Sequence, residues 1–495
     1  MLAIGLGTGI PMANAQTVRI VPSIAVESTL TDNVNLSANR TADWVNQFTP
    51  SVTFSEVSAH THLSGGVSLP ILLYARTSEN NGVFPEANVA GTLEAIDKFL
   101  FVDANASVTQ QFQTPFGARS TSLSNATQNR YTAQSYSVSP YVRGVMPGNL
   151  SYELRDNNTW SDANASSIGN GRSYTNEITG HISREATPAG WALEYDRADI
   201  RFTDSEAQIT EIERLRGTYR VDPSVEVSAT VGYEDNQFFL TRDRGATYGA
   251  GVHWRPTDHT NVIANWEHRF FGSAYNASFD HTTRLSVWSI SASRNITSFP
   301  QQLATLSQGG DVAGLLNALY SSRFPDPVQR QTLVDQLIRD RGLANLLTGP
   351  VPLLSEQITL VESVTASLGL LGARNSVFFN VFRSRNQPVE GTQENGLPPL
   401  LGDINNNTQV GASAAWTHQL AANLTLGTNL DWSRTTDNSQ AGAVTRLYAL
   451  RVFISRPLSA LTSIYGGARF QDSRSNTSES FREAALFVGL THTFH

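Results

Sequence analysis

The chain has ten histidines and no cysteine, so its possible chemistry rests on imidazole, carboxylate, hydroxyl and guanidinium groups. The lack of thiols removes disulfides, thiolate metal sites and sulfur nucleophiles together. His60 and His62 have the two-residue spacing of side chains on one strand face. They fall at a turn with no nearby carboxylate partner, so no metal and no cofactor is expected. A membrane-embedded hydrolase would need Ser, His and Asn or Asp on adjoining strand faces, and no such set stands out, so no catalytic residue and no enzymatic role are expected. Gly5, Gly7 and Gly9 resemble a piece of a phosphate loop, but no strand precedes them and the motif is incomplete. What remains are polar residues at alternate positions: Asn265, Glu267 and Arg269, then Asn429 and Asp431, then Arg451, Tyr465 and Arg469. Rows of this kind could line a water-filled interior. Their plainer reading is a structural network of paired Arg and Glu.

Such rows require strands, and strands are what the sequence is made of. In "NLTLGTNLDWSR" (423–434) Leu424, Leu426, Leu430 and Trp432 share one side with Thr428, while Asn429 and Asp431 take the other. Period two means one apolar and one polar face. In "VEVSATVGYE" Val227 and Val231 stand apart from Glu226, Ser228 and Glu234, and in "ALFVGLTHTFH" Leu490 and Phe494 share a face. Comparable runs, most about 12 to 16 residues long, cover 17–30, 42–56, 61–76, 86–113, 129–161, 172–220, 244–256, 278–294, 357–386 and 407–494. Soluble strands are usually nearer 5 to 6 residues. Strands that cross a bilayer at a tilt need about 9 to 11 for the hydrocarbon alone.

The runs and their internal turns count to 21, or about 20 strands. An even number is expected for a barrel with both ends on the periplasmic side, and residues 294–375 are where the miscount is expected. Tight turns ("VDPS", "RPTDH", "QLAAN", "RPLSA") interleave with long polar loops at 31–41, 114–129 and 386–407. Short connections on one rim and long ones on the other are the build of outer-membrane barrels. The fold class expected is therefore all-β: a large antiparallel up-and-down transmembrane barrel spanning 16–495, with Val227, Val231, Leu424, Leu426, Leu430, Trp432, Leu490 and Phe494 toward lipid. Trp160, Trp191, Trp266, Trp416, Trp432, Tyr448 and Phe494 supply interfacial girdles. Arg446 shares the lipid-facing parity of Tyr448, Leu450 and Val452, at the loop end of its strand, where an arginine costs at most about 1 kcal/mol.

Two segments break the pattern. "MLAIGLGTGIPMANAQ" reads as the apolar part of a secretory signal, residues 1–15, with cleavage before Gln16, although no basic residue opens it. Residues 296–355 read as two short helices, "DVAGLLNALYSS" and "DPVQRQTLVDQLIRDRG". The second is capped by Asp326 with Pro327 at its first turn and carries a stripe of Leu333, Val334, Leu337 and Ile338. That stripe needs a cover: the barrel lumen, the periplasmic rim or a partner.

Composition excludes other classes. With 35 basic against 43 acidic residues the net charge is −8, which argues against nucleic acid as a partner. Lys98 is the only lysine. Mean hydropathy is −0.23, and past residue 15 no apolar run approaches the roughly 18 residues of a membrane helix.

"IVPSIAVESTLTDNVNL" (20–36), "QFTPSVTFS" (47–55), "FLFVDANASVTQQFQTPFGA" (99–118), "YSVSPYVRG" (136–144) and "SVTASLGLLGARNSVFFNVFRSR" (363–385) resemble the outer-membrane β-barrel proteins associated with PEP-CTERM/exosortase systems. The resemblance implies a Gram-negative outer membrane and a setting among exopolysaccharide-producing genes. It carries no functional residues with it. Expected partners are outer-membrane lipid, an exopolysaccharide and periplasmic export components. The expected role is a porin-like conduit for polysaccharide export, or else a non-conducting anchor or assembly scaffold.

Overall fold

The computed structural model describes residues 17–165, 169–203, 207–238, 240–306, 312–321, 323–325, 330, 331, 333, 334, 337, 338, 347–352, 355, 357–389, 406–439 and 442–494. The signal segment at 1–15 lies outside the described residues, as do Asp326 and Pro327.

Alternation sends every second side chain outward, and the strands follow in chain order. They are β1 (Thr17–Thr31), β2 (Asp43–Val57), β3 (Thr61–Ser68), β4 (Ile71–Tyr74), β5 (Gly82–Val83), β6 (Glu86–Ile96), β7 (Leu100–Phe112) and β8 (Arg130–Met146). Next come β9 (Leu150–Ala165), β10 (Gly169–Arg184), β11 (Ala189–Phe202), β12 (Gln208–Asp222), β13 (Val225–Gln237), β14 (Arg242–Thr257), β15 (Thr260–Arg269) and β16 (Gly272–Thr282). The rest are β17 (Ser286–Thr297), β18 (Thr359–Leu371), β19 (Asn375–Pro388), β20 (Asn407–Ala421), β21 (Leu424–Asp437), β22 (Val444–Pro457), β23 (Thr462–Ser475) and β24 (Phe481–Thr493). Two helices, α1 (Phe299–Leu306) and α2 (Val312–Tyr320), lie between β17 and β18.

Successive long strands pair antiparallel, β3 with β6 across the short β4–β5 extension. β1 closes on β24 from Ser23↔Thr493 to Thr31↔Ala485. The result is a closed barrel of 22 strands. The strand missed by the sequence count is not in 294–375: β16 and β17 share the stretch 278–294, which reads as one run. Their turn has no Gly, Pro or Asn to mark it. Thr283 makes it instead, its Oγ1 accepting from the Ser286 amide at 3.0 Å.

The start of β1 and the end of β24 lie on one rim, with the tight turns, the longest of which leave residues 185–188 and 458–461 between strands. At one of these turns Asp222 accepts from Ser224 Oγ and N at 2.7 Å and from Val225 N at 3.0 Å. Those donors hold its carboxyl below the ordinary range. At another, the three-residue turn between β8 and β9, Gly148 and Asn149 both adopt positive φ, 90° and 59°, a region that glycine and asparagine enter more readily than other residues. The opposite, loop rim carries 32–42, 113–129, 389–406 and the insertion.

The two faces differ as lipid and water differ. Leu430 is 52% and Val231 58% exposed on the outside, whereas Glu234, Gln471 and Glu483 inside are at most 1% exposed. All eight predicted lipid-facing residues take the outward face, where Val227, Leu490 and Phe494 are exposed and Leu424, Leu426 and Trp432 half-buried. The eight tryptophans of the chain also face outward. Trp191, Trp254, Trp288 and Trp416 sit toward the short-turn rim, and Trp44, Trp160, Trp266 and Trp432 toward the loop rim, two belts at the heights where indole rings settle in a bilayer. A closed barrel with an apolar, aromatic-belted exterior is the one sheet that leaves no unpaired backbone in lipid. This is an outer-membrane β-barrel, its short turns periplasmic.

Because the native chain has no cysteine, single substitutions report orientation directly. In liposomes Ser137→Cys reacts with a water-soluble maleimide and Val138→Cys only with a lipid-confined one; the reverse would contradict the assignment of faces. On intact cells an impermeant reagent reaches Thr477→Cys, but reaches Asn149→Cys only after the outer membrane is permeabilised.

Candidate functional site

The inward charges that the sequence singled out are paired. Arg269 holds Glu234 through Nη2 at 2.9 Å and Nε at 3.1 Å, with side chains 7% and 1% exposed, and Arg269 Nη1 donates to Asn295 Oδ1 at 2.9 Å. Glu267 takes a two-pronged contact from Arg214 at 2.9 and 3.1 Å, and Arg214 also reaches Asp196 at 3.0 Å. Arg214 crosses two strands to do so, over Gly232, where a Cβ would stand 2.7 Å from Thr247 Oγ1. Arg469 binds Glu483 at 2.7 Å with 4% and 0% exposure. Arg451 stands 3.8 Å from Glu27 and lies over the Phe487 ring at 4.4 Å, and Tyr465 donates to the same Glu27 carboxylate at 3.0 Å. Asn265 faces Asn276, and Asn429 faces Arg451 across the ladder. Five of the eight therefore belong to ion-paired or hydrogen-bonded wall clusters around Glu27, Glu234, Glu267 and Glu483, which is the structural-network reading.

Asp431 does something different: Thr348 of the insertion donates to it. The insertion leaves the loop rim and folds into the lumen. Phe299 and Leu303 of α1 meet Tyr131, Ala133 and Ala163 of β8 and β9. From α2, Val312, Leu315, Leu316 and Leu319 pack on the inward Val287, Leu371, Phe378 and Ala415. Of the predicted stripe, Val334 is fully buried in the same cluster, and Leu337 and Ile338 pack against it. These three side chains are therefore covered within the lumen, among α2 and wall residues. Gln409 then fastens the returning chain, accepting from Val351 N at 2.9 Å and donating to Val351 O at 3.0 Å.

A second inward segment was not foreseen. Residues 113–129, read from sequence as a polar rim loop, bend into the barrel, where Arg119 Nη2 donates to Ser433 Oγ at 3.1 Å. Arg469 donates to Ser124 Oγ at 3.2 Å and Asn125 Oδ1 at 3.1 Å, while Asn125 Nδ2 donates to Glu483 at 3.2 Å. The pair on β23 and β24 is thus the socket of a loop more than 300 residues away.

Among the described residues, open space borders the inner wall in two main places: a cavity of about 640 Å³ near the short-turn rim, lined by His181, Ser183, Glu194, Arg216 and Glu226 among others, and the inner wall of β3 and β6–β9. A cavity of about 520 Å³ there is lined by Ser64, Asn88, Asn105, Ser107, Ser137 and Asn157 among others, with Asp103 and Arg155 paired at 2.7 Å. Toward the short-turn rim Phe101 and Tyr141 stack at 5.2 Å and 18°, with Arg143 over Phe101 at 4.3 Å and Arg155 over Tyr141 at 3.8 Å. The sequence does show these polar positions as alternate residues of "DANASVTQ" and "AQSYSVSP", but nothing in it separates them from any other polar face.

Chemistry outside the lumen is sparse. Contrary to the sequence reading, His60 does have a carboxylate near it: Glu94 at 3.4 Å, with Asp97 completing a group whose ligand atoms lie within 4.8 Å of one another on the short-turn rim. His62 is not part of that group. Among the described residues the other histidine side-chain bonds go to Asn261, Thr260, Asn375 and Thr462.

Fold and interior together define a 22-strand transmembrane barrel with helices of the insertion against its inner wall. No family model and no curated protein matches the chain. Among solved structures, it is similar to the FrpB iron transporter from Neisseria meningitidis in its apoprotein form, at 8% identity and TM-score 0.48, covering 96% of this chain and 81% of that one. It is also similar to a mutant of the ferric enterobactin receptor PfeA from Pseudomonas aeruginosa (9%, 0.45, 96% and 80%) and to the outer membrane protein opdK of the same organism (7%, 0.35, 96% and 99%). At such identities and scores nothing about cargo passes from those proteins to this chain.

The socket makes a stability prediction. Glu483→Ala leaves Arg469 buried without its carboxylate and costs about 3–5 kcal/mol, whereas replacing both by apolar residues of similar volume recovers most of the loss. Urea unfolding of the three proteins measures it. Equal midpoints for the native chain and Glu483→Ala would mean that water, not the protein, compensates Arg469.

Proposed function

We propose that this chain is an outer-membrane conduit for a neutral, hydroxyl-rich polymer, an exopolysaccharide exported with the help of periplasmic components, and that residues 296–355 are its resident plug. One observation carries the reading: the open inner wall of β3 and β6–β9 offers Ser and Asn side chains and a stacked Phe101–Tyr141 pair, while the charges lining its cavity, Asp103 and Arg155, are paired with each other. A sugar chain presents hydroxyls that such side chains both donate to and accept from, and apolar ring faces that slide over aromatics. A wall selecting ions would instead present free charge of one sign. Barrels of this strand number enclose a lumen wide enough for a polymer once the plug moves. The likeness to PEP-CTERM/exosortase-associated barrels points the same way.

The plug and the inward loop favour a second reading, a non-conducting anchor for surface polymer, since two independent segments occupy the lumen. Planar-bilayer recording separates the two. The conduit predicts low conductance for the native chain, large steps after deletion of 300–350 or with Leu316→Asp, and block of those steps by a neutral oligosaccharide that weakens with Phe101→Ala and Tyr141→Ala. A silent deletion variant, correctly folded, would leave the anchor.

A further inference from the structure

We propose that the outward wall of β21 to β24 and β1 binds a phosphorylated, acylated lipid of the outer leaflet. The starting observation is Arg446, an arginine of lipid-facing parity. The register sets it directly across from Arg434 on β21 and from Arg474 on β23, so three arginines stand side by side on the outside, at side-chain spacings of roughly 5 Å. Like charges directly opposed across a sheet are destabilising. Among the described residues no carboxylate is within ion-pair distance of Arg434 or Arg446. Of the acids below the row, Asp472 is shared between Arg474 at 3.0 Å and Arg482 at 2.9 Å, and Asp32 at the groove is held by Arg40 at 2.8 Å.

The row lies one outward step toward the loop rim from Trp432 and Tyr448, the height at which lipid headgroups begin. Guanidinium groups grip phosphate oxygens in pairs. Beneath it the wall is recessed: a groove of about 540 Å³ has Ala468 and Ala484 as its floor and Leu30, Leu450, Phe470 and Leu486 as its sides. Phe470 is four residues from Arg474, about 13 Å along the strand, so one amphiphile can place a phosphate on the arginines and an acyl chain in the groove. The charge selects the occupant, because a zwitterionic or neutral headgroup leaves Arg434 and Arg446 unmatched. The site rests on the loop rim facing the outer leaflet, which the cell-surface labelling above tests by itself.

Native mass spectrometry of the full chain in detergent, titrated with diphosphoryl lipid A, its dephosphorylated counterpart and inorganic phosphate, tests the site. The phosphorylated lipid is expected to bind at least tenfold more tightly than the dephosphorylated one. That margin should vanish in the Arg434→Gln, Arg446→Gln, Arg474→Gln triple variant, and Ala468→Phe should lower affinity by filling the groove, all with unchanged strand circular dichroism. Equal binding of both lipids, or no loss in the triple variant, overturns the proposal. Inorganic phosphate competing at equal concentration overturns the lipid in favour of a free anion.

Discussion

A backbone amide in hydrocarbon has no water to turn to, and that constraint shapes the whole molecule. The sheet must close, and it does so through the ladder from Ser23↔Thr493 to Thr31↔Ala485. Once it closes, period two assigns every side chain to lipid or lumen with no third choice, and a single-residue slip would exchange Leu430 with Asp431. The apolar exterior, the tryptophan belts and the polar interior follow from that one condition.

The interior then meets a different requirement. Charges that face inward beneath a plug are cut off from bulk water, so each needs a partner. The chain supplies these across strands: Arg269 with Glu234, Arg214 with Glu267, Arg469 with Glu483. The last pair also receives the 113–129 loop, and Asp431 receives Thr348. Polar wall residues thereby hold the two inward segments, while apolar ones, Val287, Phe378 and Ala415, are reserved for α2. Apolar Tyr131, Ala133 and Ala163 likewise meet α1 on β8 and β9, while the Ser- and Asn-lined wall of β3 and β6–β9 borders a cavity.

How much of this was legible in the sequence depends on range. Alternation is local, so strand faces, rims and the helical insertion could be read directly, and all eight lipid-facing positions share the parity that the barrel turns outside. The β16–β17 turn was missed because Thr283 and Ser286 close it without glycine or proline. Partners were beyond reach because they are set by register and by loops: Asn125 lies 344 residues from Arg469, and no spacing rule joins them. The inward bend of 113–129 was hidden for a related reason, since a loop that hydrogen-bonds a polar lumen has the composition of one that bonds water.

Outward placement of all eight tryptophans makes the central claim measurable in one spectrum. In bilayers of lipids brominated along the acyl chain, most of the tryptophan emission should be quenched, while acrylamide in the aqueous phase should leave it largely intact. Emission that survives bromine and falls with acrylamide would place the indoles around water, and the barrel would be inside out.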